Sequence, residues 1–197
     1  TGYGLLRYVL IRKAEFTDEI MVVLVTASPV FPSKRNFVEA LRREHPEITT
    51  VVQNVNDRTD SLVLGSKYQV LWGHGYIVDR PCGCSFQISP GSFYQVTPIQ
   101  AQKLDEKAIE LAYLTGKETV VDAYCGTGTI GMIAAKKAGK VFGVESNPDA
   151  VRDAVGNAKA NDVKNIRFYR EDAGHFLKSC AAENMPVDVV LMDPPRA

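Results

Sequence analysis

Hydrophobic and polar residues follow two different rhythms along the chain, one before and one after residue 90. In the first half, short apolar runs rich in β-branched and aromatic residues are separated by polar turns, a pattern typical of β-strands. A single helix is predicted at 34–44, where Phe37, Val38 and Leu41 share one face and Pro46 prevents continuation. The first half therefore predicts a small antiparallel α+β module over 1–90. Its predicted strands are 5–11, 20–26, 49–55, 62–64, 68–72 and 84–88.

The second half alternates apolar strands with amphipathic helices. A helix is predicted from Thr97 and Pro98, with Leu104, Ala108 and Leu111 on its apolar face. Strands are then expected at 120–123, 141–144, 166–169 and 187–192, with helices at 129–138 and 148–160 between them. This alternation predicts an α/β fold, in which a Rossmann-like doubly wound parallel sheet occupies 91–197 and stops after its fourth strand.

Composition and charge narrow the class of protein. The chain has 197 residues, of which 45% are hydrophobic, and this excludes a disordered chain. Lys plus Arg and Asp plus Glu both total 23, so any contact with nucleic acid must be local. No long apolar run or signal pattern occurs, and we expect a soluble, cytoplasmic protein without a membrane partner. Cys82 and Cys84 have no further ligands nearby, so no metal site is predicted.

A glycine-rich turn between a predicted strand and a predicted helix indicates a ligand site. The segment DAYCGTGTIG spans 122–131. Gly126 and Gly128 permit a tight turn and a close backbone approach that a Cβ would block, and the following helix offers unpaired N–H groups. By itself, this pattern also describes a tight turn without a ligand.

Acidic residues at the ends of successive strands favour a nucleoside with a positive sulfonium over a pyrophosphate. Asp122 ends the first strand of this half, where a carboxylate suits a cation. Glu145 ends the next strand and can accept hydrogen bonds from both ribose hydroxyls. Asp172 follows the third strand, where an adenine amino group could be bound, and Asp193 precedes two stiffening prolines. The order of these motifs predicts S-adenosyl-L-methionine as the cofactor.

These motifs resemble those of the class I S-adenosylmethionine-dependent methyltransferases. The resemblance rests on DAYCGTG at 122–128, GVE at 143–145 and DPPR at 193–196. The segment SFYQV at 92–96, together with the DPPR ending, is similar to the bacterial RNA 5-methyluridine methyltransferases, which modify uracil C5 in ribosomal or transfer RNA. Segments 5–13 and 20–26 resemble the central, RNA-facing module of that family. The likeness covers nearly the whole chain and is closer to the 23S rRNA enzymes than to the tRNA enzyme.

The resemblance implies which residues line the cofactor pocket and which partner is bound. The residues are Gln95, Tyr124, Thr129, Glu145, Asp172 and Asp193. With Asp122, Gly126 and Gly128, they form the candidate cofactor-binding set. The local sequence alone also fits a loop residue for Gln95, a packed strand end for Tyr124 and a helix cap for Thr129. The implied partner is RNA, with 23S rRNA favoured and tRNA as the alternative.

The resemblance also implies a cysteine that adds to uracil C6 and a base that removes the C5 proton. Motifs for these two groups do not occur in the sequence, and both groups are expected beyond Ala197, the last residue. Cys125 and Cys180 are interpreted as packed residues, so no catalytic residue is assigned.

A four-stranded sheet would leave strand 187–192 as an apolar edge. We therefore expect the residues up to Ala197 to be a piece of a longer enzyme that is inactive alone. The expected missing parts are the amino-terminal RNA-binding domain, any iron–sulfur cysteines and the catalytic carboxyl end.

Three alternative functions stay open at this point. The first is a class I methyltransferase that acts on another RNA base or an exocyclic nitrogen, although Arg196 stands where such enzymes carry an aromatic residue. The second is a non-catalytic RNA-binding module, which the balanced charge disfavours. The third is an NAD-linked oxidoreductase, suggested by GTGTIG but disfavoured by Asp122 and the DPPR segment.

Overall fold

The computed structural model describes residues 4–58, 61–92 and 97–194. Their strands are β1 (Leu6–Lys13), β2 (Ile20–Thr26), β3 (Ile48–Val55), β4 (Lys67–Trp72), β5 (Ile77–Asp79), β6 (Phe86–Ile88), β7 (Thr119–Ala123), β8 (Lys140–Glu145), β9 (Ile166–Arg170) and β10 (Val189–Met192). Their α-helices are α1 (Lys34–Glu44), α2 (Pro98–Leu111), α3 (Thr129–Ala135), α4 (Pro148–Ala160) and α5 (Ala173–Ala182), and Pro81–Gly83 forms one 3₁₀ turn.

The chain forms two compact units, and the first contains the described residues up to Asp79 together with 89–91. Its sheet has the order β1-β2-β3-β4. The two outer strand pairs are antiparallel, but β2 and β3 are parallel, because α1 provides the crossover between them. Val38 of α1 packs against Val22, Leu24 and Val51 of the sheet. The sheet is therefore mixed, which corrects the prediction of an antiparallel module.

The predicted strand at 62–64 is wrong, because this segment is irregular in the structure. The side-chain amide of Asn56 donates to the carbonyl oxygens of Leu62 and Val63, at 2.7 and 3.0 Å. A buried asparagine thus satisfies backbone groups that a strand partner would otherwise bind.

The second unit contains 80–88 and the described residues from Ser92 onward. Its sheet has the order β10-β7-β8-β9, and every pair is parallel. One face packs with Ile109 of α2 and Met132 of α3, and the other with Phe176 of α5. Because both faces are covered, the central strands can be apolar at consecutive positions. The predicted α/β fold with a Rossmann-like parallel sheet is confirmed.

The carboxyl end of the chain lies partly outside the described residues. Pro194, two residues after β10, is the last described residue, and Pro195, Arg196 and Ala197 lie outside the described part of the chain. The expectation of a nucleophilic cysteine and a general base beyond Ala197 therefore stays a prediction.

Segment 80–88 lies with the second unit, whereas the sequence analysis placed it in the first module. Asn157 of α4 and Asn161, the residue directly after this helix, hold it there. The backbone N–H groups of Ser85 and Gln87 donate to the side-chain oxygens of Asn161 and Asn157, at 2.8 and 2.6 Å. Phe86, between them, is fully buried in the core of the second unit. The physical reason for the difference is a non-local set of hydrogen bonds that has no signature in the local pattern.

Helix α2 buries a face that differs from the predicted one. Leu104 and Leu111 are 67% and 59% exposed, whereas Asp105 and Ile109 are buried. The prediction of an inward face through Leu104, Ala108 and Leu111 is therefore wrong. Among the described residues, no helix is both long and apolar enough to cross a membrane.

Candidate cofactor site

The turn that leads from β7 into α3 has an unusual backbone. Tyr124, Gly126 and Gly128 have φ values of 64°, 54° and 86°, all in the left-handed region. The N–H of Cys125 donates to the carbonyl of Val144 on β8 at 3.0 Å, which holds the turn against the neighbouring strand. A tyrosine in the left-handed region is strained, and such strain clusters at functional sites.

The two glycines of this turn have different surroundings. A Cβ on Gly126 would meet no atom within 4 Å, so its α-carbon faces open space. A Cβ on Gly128 would lie 2.9 Å from the ring of Phe168 and 3.3 Å from Ala154. Gly126 therefore keeps the backbone accessible to a ligand, whereas Gly128 is required for packing at the start of α3.

A cavity opens at the carboxyl ends of β7 and β10 within the second unit. Of the predicted site residues, Tyr124, Gly126, Thr129 and Asp193 line it. Apolar walls are added by four residues of the 3₁₀ turn, α2 and α3, namely Pro81, Pro98, Ala101 and Ile130. Among the described residues that line the cavity there is no lysine or arginine. This lining favours a ligand with positive charge over a pyrophosphate.

Glu145 connects the end of β8 to the glycine-rich turn. Its Oε2 accepts a hydrogen bond from the N–H of Gly126 at 3.2 Å, and its Oε1 accepts one from the N–H of Asn147 at 2.7 Å. The side chain is partly exposed. A carboxylate oxygen has two lone pairs, so Oε2 retains acceptor capacity for a ligand hydroxyl beside the turn.

Asp122 does not line the cavity. Its carboxylate is buried and accepts a hydrogen bond from the N–H of Gly131 in α3 at 2.7 Å. The pKa of Asp122 is raised to about 7, chiefly by burial, which outweighs the lowering effect of the Gly131 N–H, with smaller contributions from the negative charges of Asp105, Asp193 and Glu145. The structure thus gives Asp122 the role of fixing α3 beneath the turn, and its predicted contact with the cofactor stays a prediction.

Two further predicted residues do not contribute to the described cavity lining: Asp172 lies away from it, and Gln95 lies outside the described residues. Asp172 is exposed and caps α5, since its Oδ1 accepts a hydrogen bond from the N–H of His175 at 2.9 Å. Its predicted contact with adenine stays a prediction.

Asp105 is the residue of this site that the sequence analysis missed. It lies on α2, only 8% of it is exposed, and it lines the cavity together with Asp193. Burial raises the pKa of Asp105 to about 7, with further contributions from the charges of Asp193 and Glu106. In the sequence, Asp105 is an acidic residue in the middle of a predicted amphipathic helix. Such residues usually lie on the exposed face, so this position gave no distinct signal.

Three cysteines of the second unit, Cys82, Cys125 and Cys180, are poor thiolates in this structure. Burial raises the pKa of Cys125 far above the ordinary value, and the charges of Asp122 and Glu145 add to the effect. Burial likewise raises the pKa of Cys82 to about 11, with Glu106 as the next cause, and raises that of Cys180. A nucleophilic cysteine needs a lowered pKa, so none of these three thiols has the surroundings of a nucleophile.

The second unit is similar to known methyltransferase domains. Residues 114–195 match the family described as a methyltransferase domain. The fold of the second unit is that of the class I S-adenosylmethionine-dependent methyltransferases, and a domain of this class uses S-adenosyl-L-methionine as its cofactor.

Curated relatives and a solved structure extend the similarity to the whole chain. Proteins named uncharacterized RNA methyltransferases are 40% identical in Oceanobacillus iheyensis, over 98% of this chain, and 43% identical in Caldanaerobacter subterraneus, over 99%. The chain spans 42% and 43% of the lengths of these two relatives. The Pyrococcus abyssi tRNA (uracil-54, C5)-methyltransferase, solved with S-adenosyl-L-homocysteine, is 29% identical with a TM-score of 0.75, over 98% of this chain and 45% of that one.

The residues of the cavity fit S-adenosylmethionine. Gly126 leaves open space where a Cβ would otherwise stand, beside an acceptor oxygen of Glu145. Asp105 and Asp193 make the lining acidic, which suits a cofactor with an ammonium and a sulfonium group. Tyr124 provides an aromatic wall, which can also interact with a cation.

Proposed function

We propose that the protein carrying this chain transfers a methyl group from S-adenosylmethionine to carbon 5 of a uridine in 23S rRNA. The observation that carries the uracil-C5 part of this proposal is the likeness to the Pyrococcus abyssi uracil-C5 enzyme, which covers 98% of the chain at a TM-score of 0.75. The likeness spans both compact units and not only the cofactor domain. The relatives named RNA methyltransferases support an RNA substrate.

Transfer RNA is the second candidate substrate. The name of the Pyrococcus abyssi enzyme specifies uracil 54 of tRNA, and this observation favours tRNA. The motifs of the sequence, in contrast, resemble those of the 23S rRNA enzymes more closely. A direct comparison of the two RNAs as substrates decides between them.

The described residues would bind and orient the cofactor, which supplies an electrophilic methyl group when it is bound. The Gly126 backbone and Glu145 would hold the ribose side, and Asp193 would face the positively charged side. Tyr124 and the apolar lining would exclude water from the transferring group.

The nucleophile and the base of the proposed reaction are expected beyond Ala197. Addition of a thiolate to uracil C6 needs a cysteine with a lowered pKa, and the raised pKa of Cys125 argues against that role. The chain spans 42% of the Oceanobacillus iheyensis relative, so a longer protein has room for both groups.

The first unit offers a surface suited to contact with RNA. The guanidinium carbon of Arg42 lies 3.2 Å from the centre of the Trp72 ring, and Trp72 is 40% exposed. Stacked arginine and aromatic side chains are common platforms for unpaired bases. We propose that this pair lies on the RNA-facing side of the first unit.

The substrate is tested by methylation of 23S rRNA and tRNA transcripts in which uridine carries tritium at C5. Methylation at C5 releases this tritium to water, and methylation elsewhere does not. We expect release with 23S rRNA. Release with tRNA alone would move the assignment to the second candidate, and methylation without release would refute a uracil-C5 enzyme.

The cofactor site is tested by calorimetric titration of S-adenosylmethionine into the Glu145→Ala and Asp193→Ala variants. Loss of a hydrogen bond to a charged group costs about 1.5–3 kcal/mol, so we expect affinity to fall about tenfold or more. The control is Glu110→Ala, which removes an exposed carboxylate that pairs with Lys107 on α2. Unchanged affinity in both site variants would remove the proposed assignment.

A further inference from the structure

The orientation of α2 places a carboxylate where an apolar residue is expected. The helix turns Asp105 inward and leaves Leu104, its direct neighbour, 67% exposed. A local arrangement that opposes the hydrophobic pattern is typical of functional positions. The inward carboxylate lines the same cavity as Tyr124, Gly126 and Asp193.

Asp105 has no compensating group within the described residues. It accepts no hydrogen bond and joins no ion pair there, although more than nine-tenths of the residue is buried. Its oxygens open into the cavity, since Gln53 Oε1 is the one buried side-chain atom without a hydrogen-bond partner among the described residues. Holding a mostly buried carboxylate without a counter-charge is costly, and a second carboxylate at the same cavity increases the cost. Since no lysine or arginine is among the described lining residues, a positive charge would have to come from a ligand.

We propose that Asp105 is a further cofactor-binding residue, which together with Asp193 receives a positively charged group of S-adenosylmethionine. This inference rests on the proposed function and adds a contact from α2, an element outside the glycine-rich turn and the strand ends. The contact links the segment before β7 to the bound cofactor.

Three probes distinguish which positive group is received. S-adenosylmethionine carries an ammonium and a sulfonium, S-adenosylhomocysteine keeps only the ammonium, and 5′-methylthioadenosine has neither. All three share the adenosine part. A residue that recognises charge will discriminate among them, whereas a residue that only maintains the shape of the cavity will not.

The experiment is calorimetric titration of each probe into the intact protein and its Asp105→Asn variant. Asparagine keeps the size of the side chain and removes its charge. A hydrogen bond to a charged group is worth about 1.5–3 kcal/mol, so the affinity for S-adenosylmethionine should fall about tenfold or more. The matched control is Glu110→Gln on the same helix, an exposed carboxylate outside the cavity.

The outcomes separate the inference from the proposed function. Weaker binding of both charged probes, with 5′-methylthioadenosine unchanged, supports the inference and identifies the ammonium; weaker binding of S-adenosylmethionine alone supports it and identifies the sulfonium. Equal weakening of all three probes, or of none, overturns it. If the unmodified protein binds no probe, the proposed function itself fails.

A measurement on the unmodified protein tests the same inference if the variant does not fold. Four titratable groups interact electrostatically with Asp105, namely Glu106 on α2, Asp193 after β10, Asp122 on β7 and Cys82 in the 3₁₀ turn. With its pKa at about 7, Asp105 is partly protonated at neutral pH, and a bound cation would expel that proton to the buffer. Titration in buffers of different ionisation enthalpy should show proton release near pH 7. Equal proton release with S-adenosylmethionine and with the uncharged 5′-methylthioadenosine would overturn the inference.

Discussion

Replacing Asp122 with asparagine should change how the stability of the second unit depends on pH. Asp122 is buried at the end of β7 and accepts a hydrogen bond from the N–H of Gly131 at 2.7 Å. Asparagine keeps the shape and an oxygen that can accept this hydrogen bond, but it carries no charge. The variant therefore isolates the effect of the buried charge.

The sign and size of the effect follow from the pKa of Asp122, which burial raises from 3.8 to about 7. The folded state binds the proton more tightly than the unfolded state, so this group lowers the free energy of unfolding as pH rises through this window. The penalty is absent below about pH 3.8 and complete above about pH 7. At 1.36 kcal/mol per pKa unit, it reaches about 4 kcal/mol, an upper limit because relaxation and water penetration reduce the cost of a buried charge.

The assay is urea denaturation between about pH 4 and pH 9, followed by far-ultraviolet circular dichroism. The free energy of unfolding of Asp122→Asn minus that of the wild type should increase by about 2–4 kcal/mol across this range. Any constant cost of burying the amide N–H groups cancels in the pH dependence. Asp162→Asn, which removes an exposed carboxylate paired with Lys164, should have little effect throughout. A difference that does not vary with pH would refute the reasoning.

Three further predictions concern packing around the site. Gly143→Ala should lower the free energy of unfolding by about 1–3 kcal/mol in thermal denaturation, because its Cβ would lie 2.4 Å from a phenyl ring of β9. Gly156→Ala, whose Cβ would meet no atom within 4 Å, should raise the free energy of unfolding by about 0.5–1 kcal/mol. Destabilisation by both substitutions would contradict this prediction. Asn157→Ala should lower the free energy of unfolding by about 2–4 kcal/mol and weaken cofactor binding, because the Asn157 side chain forms hydrogen bonds with the backbone of β6 and with the carbonyl of a cavity residue. The control Asn36→Ala, at an exposed position, should change neither stability nor binding. Cys125 should resist alkylation in the native state, since burial raises its pKa. Rapid labelling of Cys125 would contradict its burial in the glycine-rich turn.

Local signals in the sequence predicted some elements accurately. Helices α1 and α4 have the predicted bounds, 34–44 and 148–160. At the start of α4, the side chain of Asn147 accepts hydrogen bonds from the N–H groups of Asp149 and Ala150, and Pro148 occupies the first turn. Such signals act within a few residues, so they can be read from sequence alone.

Long-range contacts explain where the predictions failed. The parallel pairing of β2 with β3 depends on a crossover. The position of 80–88 depends on Asn157 and Asn161, at the end of α4, which lie 70 and 76 residues further along the chain than the groups they bind. The irregular 62–64 segment is held by the buried amide of Asn56. None of these interactions leaves a periodic pattern in the segment whose structure it determines.

The sequence by itself determined the α/β class and the parallel sheet, because alternating strands and helices are visible as hydrophobic periodicity in short segments. It also determined the cofactor, because the motifs at the strand ends are local as well. The tertiary structure alone decided which acids face the cavity. It turned the carboxylate of Asp122 toward Gly131 and brought Asp105, from a helix of ordinary appearance, beside Asp193. The direction of a side chain depends on how its element packs against the rest of the unit, and this packing is a property of the whole domain.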